Sequence, residues 1–247
     1  QRQMCIRDRN NSTEEKTFAY YEKLQKECSK VQVYYYKGNF NYSKINNFGV
    51  QYAKGKYLLL LNNDTEMIND DCIEELLGYC TRSDVGIVGA RLYYEDDTIQ
   101  HAGVVIGFGG IAGHCFVQQP RGNTGYCHRI ICAQDYSAVT AACMMVKRSV
   151  FEEVGGLTEE LAVAFNDIDF CMKVRQKGYL VVYNPYAELY HYESKSRGLE
   201  DTPEKQERFH KEIQTFETRW PEILKNGDPY YNPNLSLETQ NFSLKRL

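Results

Sequence analysis

The chain has one tryptophan, six prolines and no C-x-x-C pair among its nine cysteines. An odd cysteine count without paired spacing argues against a disulfide framework. Cys72, Cys80, Cys143 and Cys171 fall inside apolar patterns, which reads as reduced, buried thiols in a cytoplasmic protein. No apolar stretch approaches the roughly 18 residues needed to span a bilayer, and no secretory signal peptide is expected. A net charge of −4 leaves no strong basic field, so nucleic acid is not an expected partner. Internal repeats and low-complexity segments are also lacking.

What is present fits a soluble α/β protein of one domain, or one domain with an appendage. The chain has 247 residues, of which 43% are hydrophobic and 25% charged, ordinary values for a packed core. Aromatic residues make up 13%, and tyrosine dominates them with 20 copies. Tyrosine offers an apolar face with a hydroxyl handle, which suits sugar rings as well as ordinary packing.

The most informative segment runs from Lys56 to Glu66, Lys-Tyr-Leu-Leu-Leu-Leu-Asn-Asn-Asp-Thr-Glu. A short apolar run after Gly55 predicts a buried strand. Asn62, Asn63 and Asp64 then stand where that strand leaves the sheet. Ligands of open α/β sheets bind at the carboxyl ends of strands, and a carboxylate there suits a divalent cation held against phosphate oxygens. The same residues also suit a plain turn.

Periodicity predicts helices over Glu14–Ser29, Asn69–Thr81, Asn166–Lys177 and Pro203–Trp220. A further helix follows the loop within Asn41–Ala53, with Ser43 as its N-cap. A short helix capped by Ser149 ends at Gly155-Gly156, the first glycine taking positive φ. Strands are expected at Val31–Tyr36, Gly86–Tyr94, Gly103–Phe108 and Ala138–Lys147. Another runs over Leu180–Tyr183, is ended by Pro185, and is followed by Glu188–Tyr192. Residues 107–134 read as a long loop carrying His114, Cys115, Cys127, His128 and Cys132, close to His101. Their spacing fits no regular zinc motif. Phe209, Ile213, Phe216 and Trp220 share one helix face and are expected in the core.

The ordered series Asn47-Phe-Gly49, Asn62-Asn63-Asp64, Gly155-Gly156-Leu157, Asn166-Asp167-Ile-Asp169 and His191-Tyr-Glu-Ser resembles the inverting family-2 glycosyltransferases. Asn-Asn-Asp in place of Asp-x-Asp, with the tail Gly227-Asp-Pro-Tyr-Tyr-Asn-Pro-Asn234, is similar to the bacterial rhamnosyltransferase-like branch that builds surface polysaccharides. The resemblance implies a GT-A fold, an α/β architecture with a mostly parallel mixed central sheet flanked by helices. It implies a nucleotide-diphospho-sugar donor (dTDP-rhamnose or a UDP-sugar) and a glycan or lipid-linked glycan acceptor. It also implies Mn2+ or Mg2+, held by Asp64, His191 and Asn62, with imidazole tilting the choice toward Mn2+. Work on lipid-linked sugars would bring the protein peripherally to the inner face of the plasma membrane.

By the same resemblance Asn11, Asn47, Gly49, Asn62, Asn63 and Asp64 lie on the donor side, and Gly155, Gly156, Glu159, Asp169 and Arg197 on the acceptor side. Asp167 is the general base, the second member of the family's acidic pair. Helix-dipole complementation alone also explains acids at 167 and 169. Residues 1–9 do not fit the rest and are expected to be non-native read-through. Residues 10–200 then form the transferase domain, with its first strands apparently missing, and 201–247 a C-terminal helix and wrapping tail. Two other readings remain open on the residues. Asn62 and Asn166 in place of acids would suit an inactive carbohydrate- or nucleotide-binding relative. A nucleotidyltransferase would require a glycine-rich, basic phosphate loop near the start.

Overall fold

A computed structural model of the chain describes the backbone of residues 4–9 and all atoms of residues 15–192 and 202–245. The elements begin with β1 (Met4–Arg9), α1 (Glu15–Glu27), β2 (Val31–Tyr36), α2 (Tyr42–Val50), β3 (Tyr57–Leu61), β4 (Thr65–Met67) and α3 (Cys72–Cys80). Next come β5 (Val85–Tyr93), β6 (Ile99–His101), β7 (Val104–Ile106), β8 (Ala112–His114), β9 (Gln134–Asp135) and β10 (Cys143–Lys147). The last are α4 (Arg148–Glu153), α5 (Asn166–Gln176), β11 (Leu180–His191), α6 (Pro203–Arg219) and α7 (Pro221–Asn226).

Seven strands form the central sheet in the order β3-β10-β5-β11-β4, with β6 beside β5 and β9 beside β11. The architecture is the expected α/β one, but the sheet is not mostly parallel. Only β5 and β11 pair in parallel within it, while β10 runs antiparallel to both its neighbours. β11 follows α5 and comes to lie parallel to β5, although β6 to β10 intervene in the chain between them. Met4–Arg9 pairs in parallel with β2, from Met4 opposite Val31 to Arg9 opposite Tyr36.

β5 is buried on both faces, as its Val-Gly-Ile-Val-Gly-Ala-Arg-Leu-Tyr sequence requires of a central strand. Val88, Ala90 and Leu92 face α3, where Cys72, Leu76 and Cys80 are fully buried at helical spacing. Ile87 and Tyr93 face the larger core with Val139, Met144, Phe151, Phe170 and Phe216. Gly89 is needed here, because a Cβ on it would lie 2.4 Å from Val139 Cβ.

Several local expectations are corrected by packing. Asn41, not Ser43, caps α2: its side chain accepts from Lys44 N, while the buried Ser43 hydroxyl donates to Leu161 O at 2.7 Å. α4 begins two residues early, with Lys147 rather than Ser149 as its N-cap, and the Arg148 guanidinium reaches the carbonyls of Gly55 and Ala53. Pro185 does not end its strand. β11 continues through it, and the register shift between Asn184 and Glu188 absorbs the missing N–H. The long loop holds β8, which pairs with β7. Pro221 closes α6 at Arg219 and opens α7. Among the described residues no helix is long and apolar enough to cross a membrane.

Candidate active site

β3 delivers Asn62 to its carboxyl end, and the chain turns there through Asn63 and Asp64 into β4. The Thr65 hydroxyl closes the turn by donating to Asn62 O at 2.8 Å. β4 then pairs with the far end of β11, placing Thr65 opposite His191. This pairing joins two distant motifs. Asp64 Oδ1 lies 3.3 Å from His191 Nε2, and Tyr192 N donates to Asp64 O at 2.8 Å.

The Asp64 side chain is about three-quarters buried, and its Oδ1 has no hydrogen-bond donor. A buried carboxylate oxygen without a donor costs about 1–3 kcal/mol or more, and a cation removes that cost. Asp64 Oδ1 and His191 Nε2 therefore fit the donor chemistry of Mn2+ or Mg2+. Asn62 is a less direct match, because its Nδ2 rather than its oxygen faces His191 Nε2, at 3.3 Å. A half-turn of the amide would present the oxygen. Among the described residues no three His, Cys, Asp or Glu side chains gather into a metal cluster. Diphosphate oxygens and water would fill the remaining positions, as is common where substrate phosphates share the cation. Asn63 points to the surface and is exposed.

Asp167 sits in the first turn of α5, half-buried. Its Oδ2 accepts from Ala141 N at 3.1 Å and its Oδ1 from Ile168 N at 2.9 Å. Ala142 O in turn accepts from Asn62 N at 2.9 Å, so one short backbone segment ties Asp167 to the Asn62 turn. Tyr42 of α2 donates to Ala141 O at 2.9 Å on the same segment. The preceding residue, Phe165, holds a left-handed backbone at φ 60°, unusual without glycine. Its ring stacks on Phe209 and Phe216 of α6, at 5.7 and 5.5 Å. Glu212, almost fully buried on the same helix, accepts from Val163 N at 2.7 Å and Ala164 N at 3.2 Å. α6 thus fixes the entry to α5.

The remaining expected residues separate into two groups. Asn47 forms a two-way pair with Leu157, donating to its carbonyl and accepting from its N–H, both at 2.9 Å. Its amide is committed to holding the 155–159 turn against α2 and is not offered to a nucleotide. Glu159 also meets Asn47, at 3.2 Å. Gly156 has φ 69°, and a Cβ there would lie 2.7 Å from Asn47 Oδ1, so only glycine fits. Gly155 is exposed, and Gly49 is buried within α2. Asp169 is corrected: it has no exposed surface and cannot touch an acceptor. It binds Arg219 Nε at 2.6 Å, Trp220 Nε1 at 2.9 Å and the Thr158 hydroxyl at 2.5 Å. Asn166 is also buried, its amide donating to Val163 O. Asn11 and Arg197 lie outside the described residues.

His101 and His114 meet through their Nδ1 atoms at 2.8 Å. Burial first, then the charges of His114 and His191, hold the His101 pKa well below its ordinary value. Sequence reasoning missed Gln100, whose Oε1 lies 2.6 Å from His191 Nδ1. It also missed Glu212, a carboxylate inside an otherwise apolar helix face, which was a readable signal.

The family model described as "Glycosyl transferase family 2" matches residues 9–155. The uncharacterized protein y4gI of Sinorhizobium fredii is 48% identical over 236 residues, covering 95% of this chain and 26% of that protein. The O-antigen biosynthesis protein RfbC of Myxococcus xanthus is 36% identical over 240 residues, covering 96% of this chain and 18% of that protein. In fold, the chain is similar to GalNAc-T7, solved with UDP, GalNAc and Mn2+, at a TM-score of 0.66 and 14% identity, over 91% of this chain and 43% of that one. The chain thus spans about a quarter or less of the length of these curated relatives.

Proposed function

The chain belongs to glycosyl transferase family 2, and on that premise we propose that it carries out inverting, metal-dependent transfer of a sugar from a nucleotide-diphospho-sugar to a hydroxyl of a glycan acceptor. The observation that carries this reading is the donorless Asp64 Oδ1 facing His191 Nε2 at the carboxyl end of β3. A bound Mn2+ or Mg2+ would supply Lewis-acid stabilisation of the departing diphosphate there. Asp64 and His191 would hold it, with Asn62 as the third candidate ligand.

Asp167 is the general base in this reading. Each of its oxygens takes one backbone N–H, and each keeps a second lone pair for an acceptor hydroxyl. Its carboxylate sits in the first turn of α5, beside the positive end of the helix dipole. It acts through proximity, taking the proton as the sugar–oxygen bond forms and the diphosphate leaves. A single displacement of this kind inverts the anomeric centre and needs no carboxylate nucleophile.

The O-antigen relative and the motif resemblance support surface polysaccharide biosynthesis as the setting and dTDP-rhamnose and UDP-sugars as the first donors to try. Asn62 and Asn166 in acidic positions favour one second reading, a relative that binds nucleotide without transfer. The nucleotidyltransferase alternative falls with the family assignment. The test is nucleoside diphosphate release from UDP-, dTDP- and GDP-sugars with Mn2+ and an oligosaccharide acceptor. Release that requires both Mn2+ and Asp167 supports the proposal. Mn2+-dependent nucleotide binding with no release on any donor–acceptor pair supports the second reading.

A further inference from the structure

The two ring nitrogens of His191 have different surroundings. Nδ1 lies 2.6 Å from Gln100 Oε1. Nε2 faces Asn62 Nδ2 and Asp64 Oδ1, each at 3.3 Å. The Gln100 amide cannot turn without loss, because its own Nε2 donates to His191 O at 3.1 Å. Its oxygen is therefore kept toward Nδ1. An amide oxygen only accepts, so Nδ1 must carry the proton. The approach of the Asn62 amide N–H to Nε2 agrees, since Nε2 must then be the acceptor. The opposite tautomer would let Nε2–H reach Asp64. It would also set two acceptors against each other at 2.6 Å between Nδ1 and Gln100.

Gln100 has little freedom. It lies on β6 between Ile99 and His101, both fully buried, and is itself 4% exposed. No solvent competes for its oxygen, and as a neutral acceptor it does not draw the proton off the ring.

We propose that Gln100 is a positioning residue that locks His191 in the Nδ1-protonated tautomer, so that Nε2 stands as a ready cation ligand beside the donorless Asp64 Oδ1. The inference deepens the metal reading above and rests on it for its purpose. Partners of this kind on metal-binding histidines fix ring orientation, and their loss typically weakens metal affinity about 10–100-fold.

The experiment has two readouts on the same chain. Nitrogen-15 spectra of histidine-labelled protein, with His191 assigned from a His191→Asn control, report which ring nitrogen carries the proton. They are taken near pH 8.5, about two units above the ordinary histidine value. Titration with Mn2+ in the presence of UDP or dTDP, followed by the paramagnetic signal of free Mn2+, reports affinity. Wild type should show Nδ1 protonated. Gln100→Leu should show mixed tautomers and a Kd weaker by about 10–100-fold. Gln100→Glu keeps an acceptor oxygen for Nδ1 but loses the donor to His191 O, so it should recover the Nδ1-protonated tautomer and part of the affinity, which a merely space-filling role would not require.

Wild type protonated at Nε2 overturns the proposal. So does Gln100→Leu with the wild-type tautomer and affinity. If Gln100→Leu fails to fold, wild type and Gln100→Glu still decide it. A wild type with Nδ1 protonated that binds no Mn2+ supports the Gln100 assignment and overturns the metal reading, so the two failures are distinct.

Discussion

The indole N–H of Trp220 donates to Asp169 Oδ1 at 2.9 Å, tying the end of α6 to the helix that carries Asp167. Arg219 adds a second bond to the same oxygen at 2.6 Å, and Thr158 binds the other oxygen. An ion in a fully buried position needs this density of partners to offset its desolvation. Asp169 thus braces α5, the helix that carries Asp167, against α6.

Asp169→Ala is expected to lower stability strongly, because it strands the Trp220 N–H and the Thr158 hydroxyl and leaves Arg219 without its partner. Removing one member of a buried pair costs about 3–5 kcal/mol, and the low end applies here because Arg219 is partly exposed and can find water. Urea unfolding is the measurement. A loss below about 1 kcal/mol, the range of an ordinary surface change, would show that the cluster is not a structural hub.

Glu188 predicts a pH dependence. Burial pushes its carboxyl up, but Tyr93, Arg91 and Arg121 together outweigh that and hold its pKa below the ordinary value. A carboxyl with a lowered folded pKa contributes stability above its unfolded value, about 4.3 for glutamate, and loses it as pH falls through the folded value. Glu188→Gln should therefore cost about 1–3 kcal/mol at pH 7. The gap between variant and wild type should narrow as the pH falls from the ordinary glutamate value through the lower folded value, where wild-type Glu188 takes up its proton. Denaturant unfolding at pH 7 and pH 3 tests this, and an equal gap at both would refute it.

Asp228 and Phe242 are two of the residues that anchor the C-terminal tail. Asp228 accepts from Ile106 N and the Ser137 hydroxyl, at 2.8 and 2.7 Å. Phe242 stacks on Phe116 at 4.6 Å and on Tyr126 at 5.6 Å, with Tyr231 against it at an angle. Phe242→Ala should cost about 3 kcal/mol, the lower range for an emptied aromatic site. It should also speed protease cleavage after residue 226. Unchanged cleavage would mean that Phe242 is not what holds the tail.

Much of this was legible in the sequence where a pattern is long or a motif dense. α3, α5 and α6 follow from periodicity, and β3 from its leucine run. Asp64 and His191 were paired by motif order, and the register of β4 on β11 supplies the physical reason they meet. β7 was read from its apolar run, but the other elements of two or three residues were not legible. β4 and β6 carry too few side chains for a period, so Gln100 passed unnoticed. Asp169 misled because an acid in a first helical turn reads as a dipole partner. Whether it faces water or Trp220 depends on how α6 ends, which no local pattern encodes. Pro185 misled in the same way, since a bulge can carry a proline through a strand.

Asp167→Asn separates the roles of the two site halves. The amide keeps an oxygen for Ala141 N, so the backbone segment that joins Asp167 to the Asn62 turn should hold. It cannot take a proton, and loss of a positioned general base typically costs about 10²–10⁴-fold in rate. The loss should fall on kcat and on kcat/KM alike, because proton transfer to Asp167 occurs only as the acceptor attacks. Mn2+-dependent nucleotide affinity, which depends on Asp64 and His191, should stay within about twofold of wild type, since distant sites act nearly independently. Wild-type turnover in this variant would remove Asp167 from the chemistry. A parallel loss of nucleotide affinity would instead mean that Asp167 acts by holding the Ala141–Ala142 segment, and the search for the base would move to the acceptor side.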